Sequence, residues 1–157
     1  MEKAYLDTAI GIVEITGEHE AIFTVGFVEE KSEDSYSESG MVSKAKKQLE
    51  EYFEGERSEF DLMLTPYGTV FQRGVWDALQ QIPHGKTISY LELSRKLGDV
   101  LAIRAVASAN GKNPIAIIIP CHRVIGSDGS LTGYAGGLHR KRFLINLESP
   151  VHQTSLF

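Results

Sequence analysis

Three short β-prone runs open the chain, residues 4–8, 11–16 and 21–28. Their apolar, β-branched content predicts strands. Residues 29–40 are polar, with Lys31-Ser32-Glu33-Asp34-Ser35, and predict an exposed loop. Met41, Ala45, Leu49 and Phe53 then recur at every fourth position, the spacing of one apolar helix face, and Gly55 ends that helix. Residues 60–64 predict another strand. Thr65-Pro66-Tyr67-Gly68 is strong punctuation and sets the expected boundary between a first part, 1–64, and a second, 65–149.

The second part reads as mostly helical. Thr69-Val70-Phe71-Gln72 fits a capping box, followed by Phe71, Val75, Leu79 and Ile82 on one face; Pro83-His84-Gly85 stops the pattern. Ser89-Tyr90-Leu91-Glu92 is a second such box, opening a helix that Gly98 closes. Another helix spans about 102–109 and halts at Asn110-Gly111. The apolar stretch 115–119 predicts a buried strand or extended segment, cut by Pro120. Residues 126–137 form a glycine-rich loop, and 138–148 a last helix stopped by Ser149-Pro150, leaving 150–157 as a tail.

Composition narrows the class. The chain has 157 residues, 42% hydrophobic and 24% charged, values of an ordinary globular protein. No apolar stretch approaches the ~20 residues of a membrane span, and no basic-then-apolar leader opens the sequence, so a cytoplasmic protein with no membrane partner is expected. One cysteine excludes an internal disulfide and a cysteine-rich zinc cage, so neither metal nor cofactor is expected. Residues 1–64 carry six basic and sixteen acidic side chains, net −10; residues 65–157 carry ten and five, net +5. A basic half suits a polyanion, although solubility alone explains such a split equally well.

Two features carry candidate chemistry. The helices near 90–97 and 102–109, separated by Gly98-Asp99-Val100-Leu101, have helix-turn-helix spacing. The second is a face of small residues with one long cation, Arg104, in its first turn. A helical hairpin packed on the core is the commoner explanation, and the basic charge of this half moves the balance back toward DNA. The other feature is Cys121, in Ile119-Pro120-Cys121-His122-Arg123-Val124. A thiol reacts as thiolate and needs a base or cation beside it. Adjacent side chains on extended backbone diverge, so a Cys121–His122 relay requires a turn or a bridging water. Glu148 is the candidate carboxylate to orient the histidine: it sits where a helix macrodipole disfavours an anion, as a tolerated misfit or as a functional position.

The stretch from Asn113 to Gly126, with Pro120-Cys121-His122-Arg123-Val124 at its centre, resembles the active-site signature of the O6-alkylguanine-DNA alkyltransferases. So do Phe71-Gln72-Arg73-Gly74-Val75-Trp76, Ile88-Ser89-Tyr90, Gly133-Tyr134-Ala135-Gly136-Gly137-Leu138, Arg140-Lys141 and Leu147-Glu148. The resemblance covers about residues 69–149; the first part matches only in size and pattern. It implies a ribonuclease-H-like α/β lobe followed by a mainly helical lobe with a winged helix-turn-helix. It also implies a monomer that binds double-stranded DNA through the minor groove, flips an O6-alkylguanine out of the stack, and takes the alkyl group, or that of an O4-alkylthymine, once and irreversibly on Cys121.

The implied roles attach residue by residue. Cys121 is the acceptor, His122 takes its proton through a water, Glu148 orients His122, and Tyr90 donates to the purine. Arg104 fills the space of the flipped base while Ala102 and Ala105 face the groove. Asn113 braces the nucleophile's turn, and Tyr134 with backbone near Val124 and Gly136 lines the base pocket. Ala135 stands where some members carry serine, leaving a backbone N–H to meet O6. The alternatives are a non-catalytic damage-recognition protein of the same fold, against which Cys121 itself argues; a multiple-turnover cysteine hydrolase; and a helix-turn-helix regulator, for which the small-residue helix has too few base-reading side chains. In the tail, Gln153, Leu156 and Phe157 look like the short peptide by which bacterial repair proteins hold the sliding clamp, against the plain alternative of packing back on the protein's own surface.

Overall fold

The computed structural model describes residues 1–32 and 40–149. The chain divides into two compact units that part between Tyr67 and Gly68. The first holds an antiparallel sheet in the order β1 (Glu2–Thr8), β2 (Gly11–Glu18), β3 (Ala21–Val28), with helix α1 (Gly40–Phe53) packed on it. Its core is Ala4, Val13, Ile15, Ile22, Val42, Ala45, Leu49 and Tyr52, each no more than 1% exposed.

Two expectations for this unit are corrected. The buried face of α1 is Val42, Ala45, Gln48, Leu49 and Tyr52, one step round from the 41/45/49/53 face, and Met41 and Phe53 are half-buried. Residues 60–64 make one parallel bridge, Ile22 to Leu64, and no strand. The buried Gln48 explains both: its amide donates to the Asp61 carbonyl (3.2 Å) and accepts from the Asp61 N–H (2.9 Å). A side chain thus satisfies backbone groups that a neighbouring strand would otherwise take.

The second unit follows the sequence's own punctuation. Thr69 caps α2 (Val70–Leu79) with the full capping box: its hydroxyl accepts from the Gln72 N–H, and the Gln72 side chain accepts from the Thr69 N–H. Val75, Trp76 and Leu79 are buried, whereas Phe71 is 46% exposed and Ile82 is buried in the turn beyond the helix. Trp76 Nε1 donates to the Ala109 carbonyl at 2.8 Å, tying α2 to the helix that ends there. Ser89 caps α3 (Tyr90–Lys96) by accepting from the Glu92 N–H. Gly98, at φ +89°, closes α3: its N–H reaches Arg95 and the Asp99 N–H reaches Ser94, the paired bonds of a Schellman motif.

A 3-10 turn, Val100–Ala102, leads into α4 (Ile103–Gly111), completing the helix-turn-helix, and the unit ends with α5 (Leu138–Glu148). A parallel pair of two residues each, β4 (Ile88–Ser89) and β5 (Val124–Ile125), joins the start of α3 to the segment after Cys121. No helix among the described residues is long and apolar enough to cross a membrane.

Candidate active site

The segment before the cysteine is neither a strand nor extended. The Ile119 N–H bonds the Ile115 carbonyl (3.1 Å) and the Ile118 N–H bonds the Ala116 carbonyl (2.8 Å), folding the apolar run into a buried turn. Ile117 lies at the centre with φ +71°, a left-handed conformation strongly disfavoured for a β-branched residue. Such strain costs on the order of 1–3 kcal/mol and persists where surroundings over-determine it. Here Asn113 supplies the constraint. Its amide donates to the Ile119 carbonyl (2.7 Å) and accepts from the Ile115 N–H (3.0 Å), clamping both ends. Pro120 (φ −82°, ψ 64°) then centres a second tight turn, with the Cys121 N–H on the Ile119 carbonyl at 2.8 Å.

Cys121, His122 and Arg123 form a 3-10 turn, all three buried. The backbone at Cys121 and His122 is therefore turned rather than extended. His122 is 0% exposed and meets Glu148, 2% exposed, at 2.7 Å from Nε2 to Oε2. Arg123 forks onto the same carboxylate, Nε to Oε1 at 2.8 Å and Nη2 to Oε2 at 3.0 Å, while Nη1 donates to the Ile82 carbonyl at 2.6 Å. Burial alone would raise Glu148's proton affinity. The hydrogen bonds and charges of His122 and Arg123 outweigh that and hold its carboxyl well below the usual carboxylate range. The anion at the end of α5 is thereby answered, and the misfit seen in the sequence has a structural reason.

Burial pushes His122 below its ordinary value, against the pull of Glu148. Arg123 already balances Glu148, so little negative charge is left to favour an imidazolium. With a proton on Nε2 the ring donates to the carboxylate, and the buried Nδ1 has no hydrogen-bond partner. Burial also pushes the Cys121 thiol up, opposed by a hydrogen bond from Asn113 and the charge of Lys141. The resting sulfur is thus a thiol that needs a base at the moment of reaction.

On the other side of the cysteine, Tyr90 Oη donates to the Thr132 carbonyl at 3.0 Å, and Lys141 Nζ donates to the same oxygen at 2.6 Å. Lys141 is 0% exposed, lies 5.8 Å from the Tyr90 ring centre, and is brought down to about 8 by burial, with the charge of Cys121 acting the other way. Burial raises Tyr90 and Tyr134, and the charge of Cys121 pushes both further up. The Tyr134 hydroxyl is buried with no hydrogen-bond partner. Val124 is fully buried in β5, and the Gly136 carbonyl accepts from Arg140. Arg104 and Ala105 are exposed on α4 and Ala102 half-exposed before it. The structure therefore gathers Cys121, His122, Glu148, Tyr90, Asn113 and Tyr134 in one unit, with Arg104 and its small neighbours on the surface. Gln153, Leu156 and Phe157 lie outside the described residues.

Three buried participants were not singled out from sequence: Arg123, Lys141 and Asn110, whose amide donates to the Cys121 carbonyl at 3.4 Å. In the sequence Asn110 marks only a helix stop. Gly133 has a role the sequence could not disclose: at φ +65°, a Cβ placed there would stand 3.3 Å from Tyr90 Oη. Gly133→Ala is expected to displace that hydroxyl, lower transfer about tenfold and cost about 1–2 kcal/mol of stability. Single-turnover kinetics and thermal melts check both.

Comparison with known proteins decides the family. Residues 70–150 match the model of the 6-O-methylguanine DNA methyltransferase DNA binding domain, and residues 1–66 that of its ribonuclease-like domain. The chain belongs to the 6-O-methylguanine DNA methyltransferase family. It is 46% identical over 153 residues to the methylated-DNA--protein-cysteine methyltransferase of Methanosarcina acetivorans, covering 94% of this chain and 98% of that one. It is 47% identical to the enzyme of the same name from Mycobacterium tuberculosis H37Rv over 147 residues, 91% of this chain and 89% of that one. The crystal structure of the M. tuberculosis O6-methylguanine methyltransferase superposes with a TM-score of 0.84 at 43% identity, covering 99% of both chains. The complex of the M. tuberculosis protein with DNA gives 0.86 at 43% identity, covering 100% of both. This family member is a DNA-binding repair alkyltransferase with methylated-DNA–protein-cysteine methyltransferase activity.

Proposed function

We propose that Cys121 accepts the alkyl group of O6-alkylguanine, and of O4-alkylthymine, in duplex DNA, and that each molecule acts once. The carrying observation is the buried 2.7 Å contact of His122 with Glu148, next in sequence to the chain's one cysteine. In the reaction His122 Nδ1 takes the thiol proton through one water. Sulfur forms a bond to the alkyl carbon as the bond from that carbon to O6 breaks. Tyr90 passes its proton to the departing purine, and Lys141, on the carbonyl Tyr90 leaves, steadies the phenolate. No group stands ready to reverse the thioether.

The O6 atom lies inside the stacked duplex, so the base is flipped into the pocket beside Tyr134, Val124 and Gly136. Arg104 enters the vacated stack, with Ala102 and Ala105 against the minor groove. The protein acts as a monomer in the cytoplasm, where the thiol stays reduced, and its tail binds a sliding clamp through Gln153, Leu156 and Phe157. Intact mass before and after incubation with O6-methylguanine duplex tests the central claim. A gain of one methylene on Cys121, once per molecule, supports it; no gain, or a gain elsewhere, overturns it. Arg104→Ala is expected to slow duplex repair by roughly tenfold or more while changing stability by less than about 0.5 kcal/mol. Repair at the wild-type rate would mean that another residue fills the stack.

A further inference from the structure

Arg123 stands apart from the proposed proton path, yet its guanidinium makes three hydrogen bonds, two of them to Glu148. Its guanidinium uses Nε and Nη2 on both oxygens of Glu148 and Nη1 on the Ile82 carbonyl, with the side chain almost fully buried. The Ile82 bond anchors the fork to the turn after α2, so its plane cannot swing away from the carboxylate. Glu148 Oε2 therefore receives two donors, His122 Nε2–H and Arg123 Nη2–H, and Oε1 a third. Such bidentate, charge-assisted pairing is strong and directional.

We infer that Arg123 is a positioning residue that keeps Glu148 a permanent hydrogen-bond acceptor, so that His122 stays in its Nε2–H tautomer and alone receives the thiol proton. The inference deepens the proposed role of Cys121 as alkyl acceptor and rests on it. The charged and titratable groups bearing on the pair are few. Arg123 comes from the 3-10 turn, Lys141 acts on His122 from α5, and Tyr134 senses the charge of Glu148 from the loop before α5. Of these, the Arg123 fork hydrogen-bonds the carboxylate directly, as His122 does.

Remove the fork, and Glu148 loses two donors and a counter-charge; the His122 bond remains, and the balance against burial shifts toward the neutral acid. A protonated Glu148 no longer needs the Nε2 hydrogen, and the imidazole can present Nδ1–H instead. A nitrogen carrying a hydrogen cannot take the thiol proton. Burial is the main cause that lowers His122, and the guanidinium charge adds to it in opposing an imidazolium. Arg123 thus gives up some base strength in exchange for one defined tautomer.

The test measures single-turnover methyl transfer from O6-methylguanine duplex between about pH 5 and 9 for wild type, Arg123→Lys and Arg123→Met. Arg123→Met is expected to lower the plateau about tenfold or more and to move the acid limb up by about one pH unit. Arg123→Lys keeps the charge but not the fork, and is expected to lose plateau rate with little movement of the limb. A purely structural arginine would scale the whole profile down; parallel profiles for wild type and Arg123→Met overturn the inference. Long-range nitrogen–proton NMR on the His122 ring of the wild-type chain gives a readout independent of any variant's folding. An Nε2–H tautomer at neutral pH supports the inference, and an Nδ1–H tautomer or an imidazolium overturns it. A wild-type chain that gains no methyl on Cys121 defeats the proposed function instead, and the NMR result still judges Arg123.

Discussion

Cys121→Ala is expected to abolish alkyl uptake while leaving affinity for duplex DNA within roughly twofold of wild type and the salt dependence of binding unchanged. The chain has one thiol, and no other side chain in the site is a comparable nucleophile. The substitution removes a small buried atom and the Asn113 hydrogen bond to sulfur, but Asn113 still clamps Ile115 and Ile119, and the Cys121 backbone keeps its bonds. The helix-turn-helix is built on Trp76, Gly98 and two caps that do not involve sulfur. Mass spectrometry after exposure to methylated duplex, with binding isotherms at two salt concentrations, checks both halves. Methyl uptake by the variant would move the acceptor elsewhere.

Glu148→Ala is expected to have the larger effect on stability, on the order of 3–5 kcal/mol, because it leaves the Arg123 guanidinium buried without its counter-charge. Glu148→Gln keeps one acceptor and is expected to cost less. For catalysis, His122→Ala and Glu148→Gln should each slow transfer, and their combination should cost little more than the worse of the two, since they act as one unit. Denaturant titrations and single-turnover rates on the same preparations separate the effects.

The pair also gives stability a pH dependence of definite sign. Glu148 is depressed in the folded state, so its contribution is present above the ordinary carboxylate range and is lost as pH falls through its folded value. His122 is depressed by burial, so the unfolded chain binds a proton that the folded chain refuses, and stability is lost as pH drops below about 6.5. Both act in the same direction. The wild-type melting temperature is expected to fall from pH 7 toward pH 4, and Glu148→Gln to flatten the more acidic part of that slope.

Where the sequence carried local signals, the fold could be read from it. Thr69 and Ser89 announce helix starts because a hydroxyl there satisfies N–H groups within three residues, and Gly98 announces an end because the left-handed cap suits glycine. The last helix has the bounds its flanking Gly137 and Ser149-Pro150 suggested. The run 115–119 could not be read this way. An apolar stretch looks alike in a strand and in a buried turn, and the clamp that bends it belongs to Asn113. The strands β4 and β5 are two residues each, too short to leave a period. On α1, Met41/Phe53 and Val42/Tyr52 offer competing faces, and Gln48 decides by bonding Asp61 thirteen residues away.

Within the site, Cys121 and His122 stood out because a lone nucleophile beside a base is unusual, and Glu148 because an anion ending a helix is a local conflict. Arg123 and Lys141 were missed as participants because cations are ordinarily found at the surface. Only tertiary structure places one against Glu148 and Ile82 and the other against Thr132.

The Thr132 carbonyl has a consequence for the energetics of lesion capture. Tyr90 already has a good acceptor there, so in the proposed reaction engaging a purine exchanges one hydrogen bond for another of similar strength. That exchange leaves the number of satisfied groups unchanged and adds little to the affinity for a flipped base. Under the proposed reaction, grip on the nucleotide is expected from stacking and from phosphate contacts, which are indifferent to the alkyl group. The tyrosine's influence is then concentrated at the instant when the departing base becomes a stronger acceptor than a peptide oxygen, and it appears in the rate of transfer more than in the equilibrium of binding.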